Sequence, residues 1–141
     1  MKQIVIETFG KIKDQSTHDL CQKYLDLCNH YIKTEIKIHK DPIDRKISFV
    51  DLDFSNTIIL SERGKLVDSK SFANLIKAQI SVNQYTRFVI GNAYGIDEAV
   101  LRSATTISLS PLTFTHELCL FILLEQIYRG LNINSGGKYH K

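Results

Sequence analysis

The chain has 141 residues, of which 43% are hydrophobic and 23% are charged, and its formal net charge is +3. This composition excludes a disordered protein, and the chain contains no apolar run of the ~20 residues that span a bilayer. The length predicts one domain, 1–141, with a single core. The mildly basic charge is compatible with a nucleic-acid partner but does not require one.

The N-terminus and the cysteines indicate the cellular compartment. The opening stretch MKQIVIETFG lacks the long apolar region of a signal peptide, so we expect a cytoplasmic protein. Cys21, Cys28 and Cys119 are an odd number without CxxC spacing, which favours free thiols in a reducing compartment. None of the five histidines falls in an HExxH pattern or beside paired cysteines, so we expect no metal site.

The first part of the chain alternates strands with a helix. Residues 4–9 and 34–39 are typical of strands, and residues 16–32 carry apolar side chains at helical spacing. Residues 47–54 are compatible with either a short strand or a distorted helical turn. The predicted order is therefore strand, helix and strand, followed by the segment 47–54, whose secondary structure the sequence does not decide.

The middle of the chain repeats this alternation. A buried strand is predicted at 57–60, and the sequence ERG at 62–64 is expected to turn the chain. Helices are predicted at 68–80 and 97–104, with a second buried strand between them at 87–90. A short strand at 106–110 follows.

The last helix is expected to begin after its cap at Thr115 and to end near Arg129, with Gly130 at its end. Its residues 118–124 form an unbroken apolar run, whereas a helix that covers one face of a sheet needs only an apolar stripe. The second apolar face would be buried against another part of the fold or against a partner chain. We favour a homodimer.

Strands that alternate with helices predict an α/β fold with a mostly parallel sheet and helices on both faces. Ligands bind such sheets beyond the carboxyl ends of the strands. Three loops follow apolar strands there: LSERGK, GNAYG and SPLTFTH. Their convergence predicts a binding site, although GNAYG alone fits a simple turn equally well.

Several charged, titratable and aromatic residues lie close together in the C-terminal part of the chain. Glu125 and Arg129 are four residues apart on the last helix and can form an ion pair, either on the surface or inside a site. Beyond them, the chain ends with Tyr139, His140 and Lys141. This end is either a frayed terminus or part of an active site.

Several motifs resemble one family. IGNAYG, ISLSPLTFTHELCLFILLEQIYRGLNI and the terminal YHK closely resemble the RlmH family, which are SPOUT-class methyltransferases that act on large-subunit ribosomal RNA. The stretch TIILSERGKLVDSKSFA and the N-terminal GKIK are similar to the family as well. The resemblance covers nearly the whole chain and is most specific in its C-terminal third.

The resemblance implies a fold and a cofactor. Family members are α/β proteins whose C-terminal segment threads through a loop to make a trefoil knot, and this knot forms the pocket for S-adenosylmethionine. The cofactor would contact residues of the three loops named above: Leu60, Gly91, Leu109, Ser110, Pro111, Leu112, Thr113 and Phe114. The whole chain, 1–141, would be one SPOUT methyltransferase domain.

The resemblance also implies a substrate and partners. Family members are homodimers that pack through the knotted region and methylate N3 of a pseudouridine in the 23S rRNA of assembled ribosomes. Two alternatives stay open: a catalytically impaired SPOUT homodimer that binds ribosomal RNA, and a SPOUT enzyme that acts on tRNA. Neither a membrane nor a metal partner is expected.

The resemblance makes the tail a candidate for catalysis. His140 would take the proton from the target nitrogen or orient the base, and Tyr139 would stack on a base. Lys141 would stabilise developing negative charge or hold a phosphate, and Arg129 is expected in the same site. The glycines at 136–137 would let the tail swing over RNA.

Three positions depart from the family pattern. Asn92 stands where the family carries the second glycine of IGG, and Thr115 stands where it carries a proline. Leu120 replaces an arginine that could bind RNA or shape the dimer.

Overall fold

Five parallel strands form the centre of the protein in a computed structural model that describes residues 1–42, 45–47 and 54–141. The strands are β1 (Gln3–Phe9), β2 (Lys33–His39), β3 (Thr57–Leu66), β4 (Tyr85–Ile90) and β5 (Thr105–Ser108). Their order in the sheet is β2-β1-β4-β3-β5, and every neighbouring pair is parallel. The predicted parallel α/β sheet is confirmed. The ambiguous segment 47–54 lies mostly outside the described residues.

The described residues form three helices that connect strands, α1 (Gln15–Asn29), α2 (Ser69–Val82) and α3 (Glu98–Ser103), and a fourth, α4 (His116–Asn134), that follows β5. Each begins where a side-chain oxygen accepts a hydrogen bond from a backbone N–H of the first turn, as polar N-caps do. The capping residues are Asp14, Asp68, Asp97 and Thr115. Among the described residues, no helix is long and apolar enough to cross a membrane.

The core lies on both faces of the sheet because successive strand side chains point to opposite faces. Ile58 and Phe88 belong to the larger apolar cluster, which also contains residues of α1, α2 and α4. Ile59 and Val89, one residue further along, belong to a second cluster with Val100 of α3. Helices therefore cover both faces, as predicted.

The turn predicted at 62–64 is wrong, since β3 continues to Leu66. Ile107 of β5 pairs with both Leu60 and Lys65, and the register shifts between these two residues. The backbones come very close here, because a Cβ placed on Gly64 would lie 2.6 Å from the carbonyl carbon of Ile107. The glycine permits this close approach of β3 and β5 and does not mark a turn.

The predicted end of the last helix is also wrong, since α4 continues through Gly130 to Asn134. A Cβ on Gly130 would lie 3.1 Å from Cδ1 of Ile76 and 3.3 Å from Cα of Ala73. This glycine therefore allows α4 to pack closely against α2, a tertiary role that the local sequence does not distinguish from a C-cap.

Candidate functional site

A cavity of about 730 Å³ lies at the carboxyl ends of β3, β4 and β5. The three loops that the strand pattern selected all contribute to its wall. All the residues expected to contact a cofactor line it except Pro111: Leu60, Gly91, Leu109, Ser110, Leu112, Thr113 and Phe114. The structure thus brings these residues together from three separate parts of the chain.

The loop after β4 is a tight turn. The backbone N–H of Gly95 donates to the carbonyl of Asn92 at 3.0 Å, and Gly95 adopts a φ of 85°, which favours glycine. The Asn92 side-chain oxygen accepts from the N–H of Tyr94, and its amide donates to Asp41 and to the carbonyl of Arg45. Asn92 therefore joins this loop to the segment that follows β2. Sequence reasoning did not identify that role.

The loop after β5 is held by its own hydroxyl groups. The Ser108 hydroxyl donates to the carbonyl of Ser110, and the Ser110 hydroxyl accepts from the N–H of Leu112 at 3.0 Å. The Thr113 hydroxyl donates to the carboxylate of Glu62, which lies on β3 and lines the same cavity. This contact links two walls of the cavity. It was not predicted from the sequence, because residues 62–64 were assigned to a turn.

The first turns of α4 complete the wall with His116 and Cys119. Nε2 of His116 is buried without a hydrogen-bond partner among the described residues. Burial raises the pKa of the Cys119 thiol to about 11, so this thiol is neutral at physiological pH and is a poor nucleophile. The predicted free thiols are confirmed at Cys21, Cys28 and Cys119.

The cavity has the size and the mixed lining of a small-molecule site. Its volume lies within the range of about 300–1,000 Å³ that is typical of small-molecule sites. Apolar side chains such as Leu60, Ile90 and Phe114 line it together with a few polar groups, among them Glu62 and the unpartnered His116 nitrogen. An aromatic base with an attached polar chain suits such a mixed lining. Among the described residues, no group of His, Cys, Asp or Glu side chains could hold a metal ion.

A second polar cluster, here called the tail cluster, lies near the end of α4 and consists of Tyr24, Glu125, Arg129, Tyr139 and His140. Arg129 forms an ion pair with Glu125 at 2.6 Å, and the Tyr139 hydroxyl donates to the same Glu125 oxygen at 3.0 Å. The Arg129 guanidinium lies 4.7 Å from the centre of the Tyr139 ring. The tail is thus packed onto α4 and is not frayed.

The surroundings of Arg129 and Tyr139 raise the pKa of both side chains. The hydrogen bond with Glu125 raises the pKa of Arg129, and burial followed by the hydrogen bonds to Tyr24 and Glu125 raises the pKa of Tyr139. Arg129 is therefore cationic and the Tyr139 hydroxyl is neutral at physiological pH. The Tyr139 ring also packs edge-on against Tyr128.

The two glycines before the tail form a turn. Gly136 has a φ of 79°, and the N–H of Gly137 donates to the backbone carbonyl of Asn132 at 2.9 Å. The Asn132 side chain accepts from the N–H of Tyr139 and donates to the hydroxyl of Tyr31. The turn therefore directs the tail back along α4, where the sequence suggested a free swivel.

The tail cluster and the cavity are separate within one chain. No residue of the tail cluster lines the cavity. Cys119 at the cavity and Glu125 in the tail cluster lie on the same helix, six residues apart by their numbers. At 1.5 Å per residue that is about 9 Å along the helix axis. The structure brings the expected cofactor residues other than Pro111 together, and it brings Arg129, Tyr139 and His140 together, but it does not bring the two groups together. The expected catalytic residue Lys141 is exposed and belongs to neither group.

Known proteins match the chain over nearly its full length. Residues 1–140 match the family model described as "Predicted SPOUT methyltransferase". The chain belongs to the SPOUT methyltransferase family. A protein named ribosomal RNA large subunit methyltransferase H, from Malacoplasma penetrans, is 33% identical over 156 residues, which cover 99% of each chain. A protein of the same name from Symbiobacterium thermophilum is 34% identical over 160 residues, again with 99% of each chain covered. These matches confirm the resemblance to the RlmH family.

The three departures from the family pattern have structural explanations. Leu120 is completely buried in the larger apolar cluster, so it does not mark a lost surface cation. Thr115 caps α4 by accepting a hydrogen bond from the N–H of Leu118. Asn92 is tied to Asp41 and Arg45 as described above. Each of these residues thus has a structural role in this SPOUT protein.

Proposed function

We propose that the protein is an S-adenosylmethionine-dependent methyltransferase that modifies N3 of a pseudouridine in 23S rRNA, with the assembled ribosome as substrate. The observation that carries this proposal is the cavity itself. Loops from three parts of the chain, each of them similar to the RlmH family, meet around one space of a size suited to the cofactor. The full-length relatives named as ribosomal RNA large subunit methyltransferases support the substrate class.

The cavity residues would hold and orient the cofactor. Leu60, Leu109 and Phe114 provide apolar walls for the adenine, and the Gly91 backbone allows a close approach. Bound S-adenosylmethionine supplies an electrophilic methyl group on a sulfonium. Such a transfer depends mainly on the orientation of the two reactants, an effect that can reach ~7 kcal/mol or more.

The tail cluster would act on the target base. Arginine can only donate hydrogen bonds, so Nδ1 of His140, which lies 3.1 Å from NH1 of Arg129, must be an unprotonated acceptor. The ring proton of neutral His140 is therefore on Nε2, which makes that nitrogen a donor. We expect His140 to hold a base oxygen where negative charge develops as the imide loses its proton.

A homodimer would bring the two groups of residues together. Leu118 is 46% exposed, and Ile122 is only partly buried. The spacing 118, 122, 125, 129 places both residues on the helix face that carries Glu125 and Arg129. Docking this face against a second copy would cover the apolar surface and carry the tail of one chain towards the cavity of the other. Each active site would then be composite.

The trefoil knot expected of this family is part of the proposal. It is supported by the double pairing of Ile107 with Leu60 and Lys65, and by the close approach at Gly64. The knot would place the loop after β5 and the start of α4 firmly against the cofactor.

The test of the function is methyl transfer to defined RNA. Purified protein is incubated with labelled S-adenosylmethionine and with ribosomes that lack the modification, and the label is mapped. We expect label on one pseudouridine of 23S rRNA and none on isolated tRNA. Label on tRNA alone would point to a tRNA enzyme. Cofactor binding without any label would point to an impaired protein that only binds ribosomal RNA.

A further inference from the structure

A second pocket, of about 330 Å³, lies beside the cofactor cavity. We name it the basic pocket and define it by its lining residues: Phe9, Lys40, Pro42, Arg45, Lys46 and Ile47. Within the described part of the chain its lining includes three cations and no carboxylate. Lys46 also lines the cofactor cavity, so the two spaces adjoin each other.

The chain segment that carries Arg45 and Lys46 is fixed in position. The N–H of Ile47 donates to the carbonyl of Gly95 at 3.0 Å, and the carbonyl of Ile47 accepts from the N–H of Asp97 at 2.8 Å. The Asn92 amide donates to the carbonyl of Arg45 at 3.0 Å. All three bonds connect the segment to the loop that forms a wall of the cofactor cavity. The position of the cations is therefore coupled to that of the cavity.

The floor of the basic pocket is apolar. Phe9 and Ile47 are buried in the smaller core cluster. The three cations, by contrast, are exposed. Their charged groups thus lie in solvent around an apolar base, in the arrangement that a surface anion site requires.

The nearby described acids have partners of their own. The Asp41 carboxylate accepts a hydrogen bond from Asn92 at 2.9 Å. Glu7 lies 2.8 Å from Nε2 of His39 and 2.8 Å from Nε of Arg87. In the part of the chain that the structure describes, the ion pairs do not include one between either carboxylate and Lys40, Arg45 or Lys46. Among the described residues, the cations of the pocket are therefore not neutralised by an ion pair.

We propose that the basic pocket binds a backbone phosphate of the substrate RNA, next to the nucleotide that enters the cofactor cavity. This inference rests on the proposed function. A base in the cavity is joined through its ribose to phosphates on both sides, so an adjoining cationic site is where the backbone must pass. Arginine and lysine are the usual phosphate partners, and such contacts position the substrate without reading its sequence.

The test compares two double variants that remove the same charge. Lys40→Ala/Arg45→Ala removes two cations of the basic pocket but keeps Lys46, which borders the cofactor cavity. Lys70→Ala/Lys77→Ala is the matched control, because both lysines are exposed on α2, on the opposite face of the sheet. Ribosome binding is measured by cosedimentation between 50 and 200 mM salt. Cofactor affinity of the free protein is measured by calorimetry.

Each lost phosphate contact lowers the slope of log affinity against log salt by about 0.7–0.9. We expect the pocket variant to lose about 0.7–0.9 of this slope, as one phosphate contact would, while the control and the charge-preserving Lys40→Arg/Arg45→Lys variant retain it. Cofactor affinity should not change in any of them. The proposal is overturned if the pocket variant and the control have equal slopes, or if the wild-type protein does not bind ribosomes.

Binding and methyl transfer are separate readouts. A wild-type protein that binds ribosomes but transfers no methyl group would refute the proposed enzymatic function. The slopes would still decide whether the basic pocket contacts phosphate.

Discussion

Arg129 donates a hydrogen bond to Nδ1 of His140 over 3.1 Å, which fixes the ring proton of the neutral imidazole on Nε2. The same guanidinium is paired with Glu125 and lies over the ring of Tyr139. Two of the last three side chains are therefore held by one cation on α4. This relationship favours a donor role for His140 over the general-base role that the sequence also allowed.

The first prediction tests that donor role. His140→Gln places an N–H donor near the position of Nε2, whereas His140→Ala removes it. We expect His140→Gln to keep methyl transfer within about 10-fold of wild type and His140→Ala to lose about 100-fold, a range typical of a single hydrogen bond to developing charge. Single-turnover rates on ribosomes measure both. If His140 is the general base, both variants will be equally impaired.

The second prediction concerns the composite site. Gly91→Val should block the cavity, and a chain ending at Lys138 lacks the last three residues. In a heterodimer of these two chains, the truncated chain has the intact cavity and the Gly91→Val chain has the intact tail. These two form a complete site only if each site combines the cavity of one chain with the tail of the other. We expect this heterodimer to have about half of the wild-type activity, although each homodimer should be inactive. An inactive heterodimer would place the tail and the cavity of the same chain in one site.

The third prediction tests the crossing of β3 and β5. In Gly64→Ala the new Cβ would lie 2.6 Å from the carbonyl carbon of Ile107, and a backbone cannot move aside as a side-chain tip can. We expect the free energy of unfolding to fall by about 1–3 kcal/mol, together with weaker cofactor binding. Urea unfolding and calorimetry measure these effects. Ser61→Ala, in the same segment, is the control, and equal stability of the two variants would contradict a close crossing.

The fourth prediction concerns the position where the family carries arginine. Leu120 is completely buried, so Leu120→Arg would place a charge in the apolar core. We expect a loss of more than about 3 kcal/mol in the free energy of unfolding, whereas Leu120→Met should cost less than about 1.5 kcal/mol. Urea unfolding separates these values. A stable Leu120→Arg protein with higher ribosome affinity would show that the leucine is a lost RNA contact.

The fifth prediction is a pH dependence. Burial raises the pKa of the Cys28 thiol from 9.0 to about 12, so the unfolded chain loses this proton at a lower pH than the folded chain does. The contribution of Cys28 to stability is complete below pH 9 and declines as the pH rises towards 12. By pH 10.5 the decline should be about 2 kcal/mol. Urea unfolding at pH 7.5 and 10.5 should show a smaller decline in Cys28→Ala than in wild type. An equal decline in both would mean that Cys28 titrates normally.

Local patterns predicted the helices and strands well where burial is periodic. The α1 helix and the strands β1, β2 and β4 lie close to their expected positions, because amphipathic spacing is a direct consequence of a two-sided sheet. The errors fall on two glycines, Gly64 and Gly130. Each was interpreted as a local breaker, yet each permits close contact with a segment distant in sequence. Local propensity contains no information about such partners.

Some features of the candidate site could also be predicted from the sequence, and others could not. The convergence of three loops follows from strand order and parallel direction, so the sequence was sufficient to select most of the cavity lining. The links that Asn92 and Glu62 make were not foreseeable, since their partners Asp41, Arg45 and Thr113 are separated from them by long stretches of chain.

By itself, the sequence determined the α/β class, the family and most of the residues that line the cavity, because periodicity and sequence motifs are local properties of the chain. Only the tertiary structure decided that the tail packs onto α4 outside the cavity, since the turn at Gly136 directs the last residues back along the helix to Glu125 and Arg129. It alone also placed Arg45 and Lys46 beside the cavity, through hydrogen bonds to a loop that is remote in sequence.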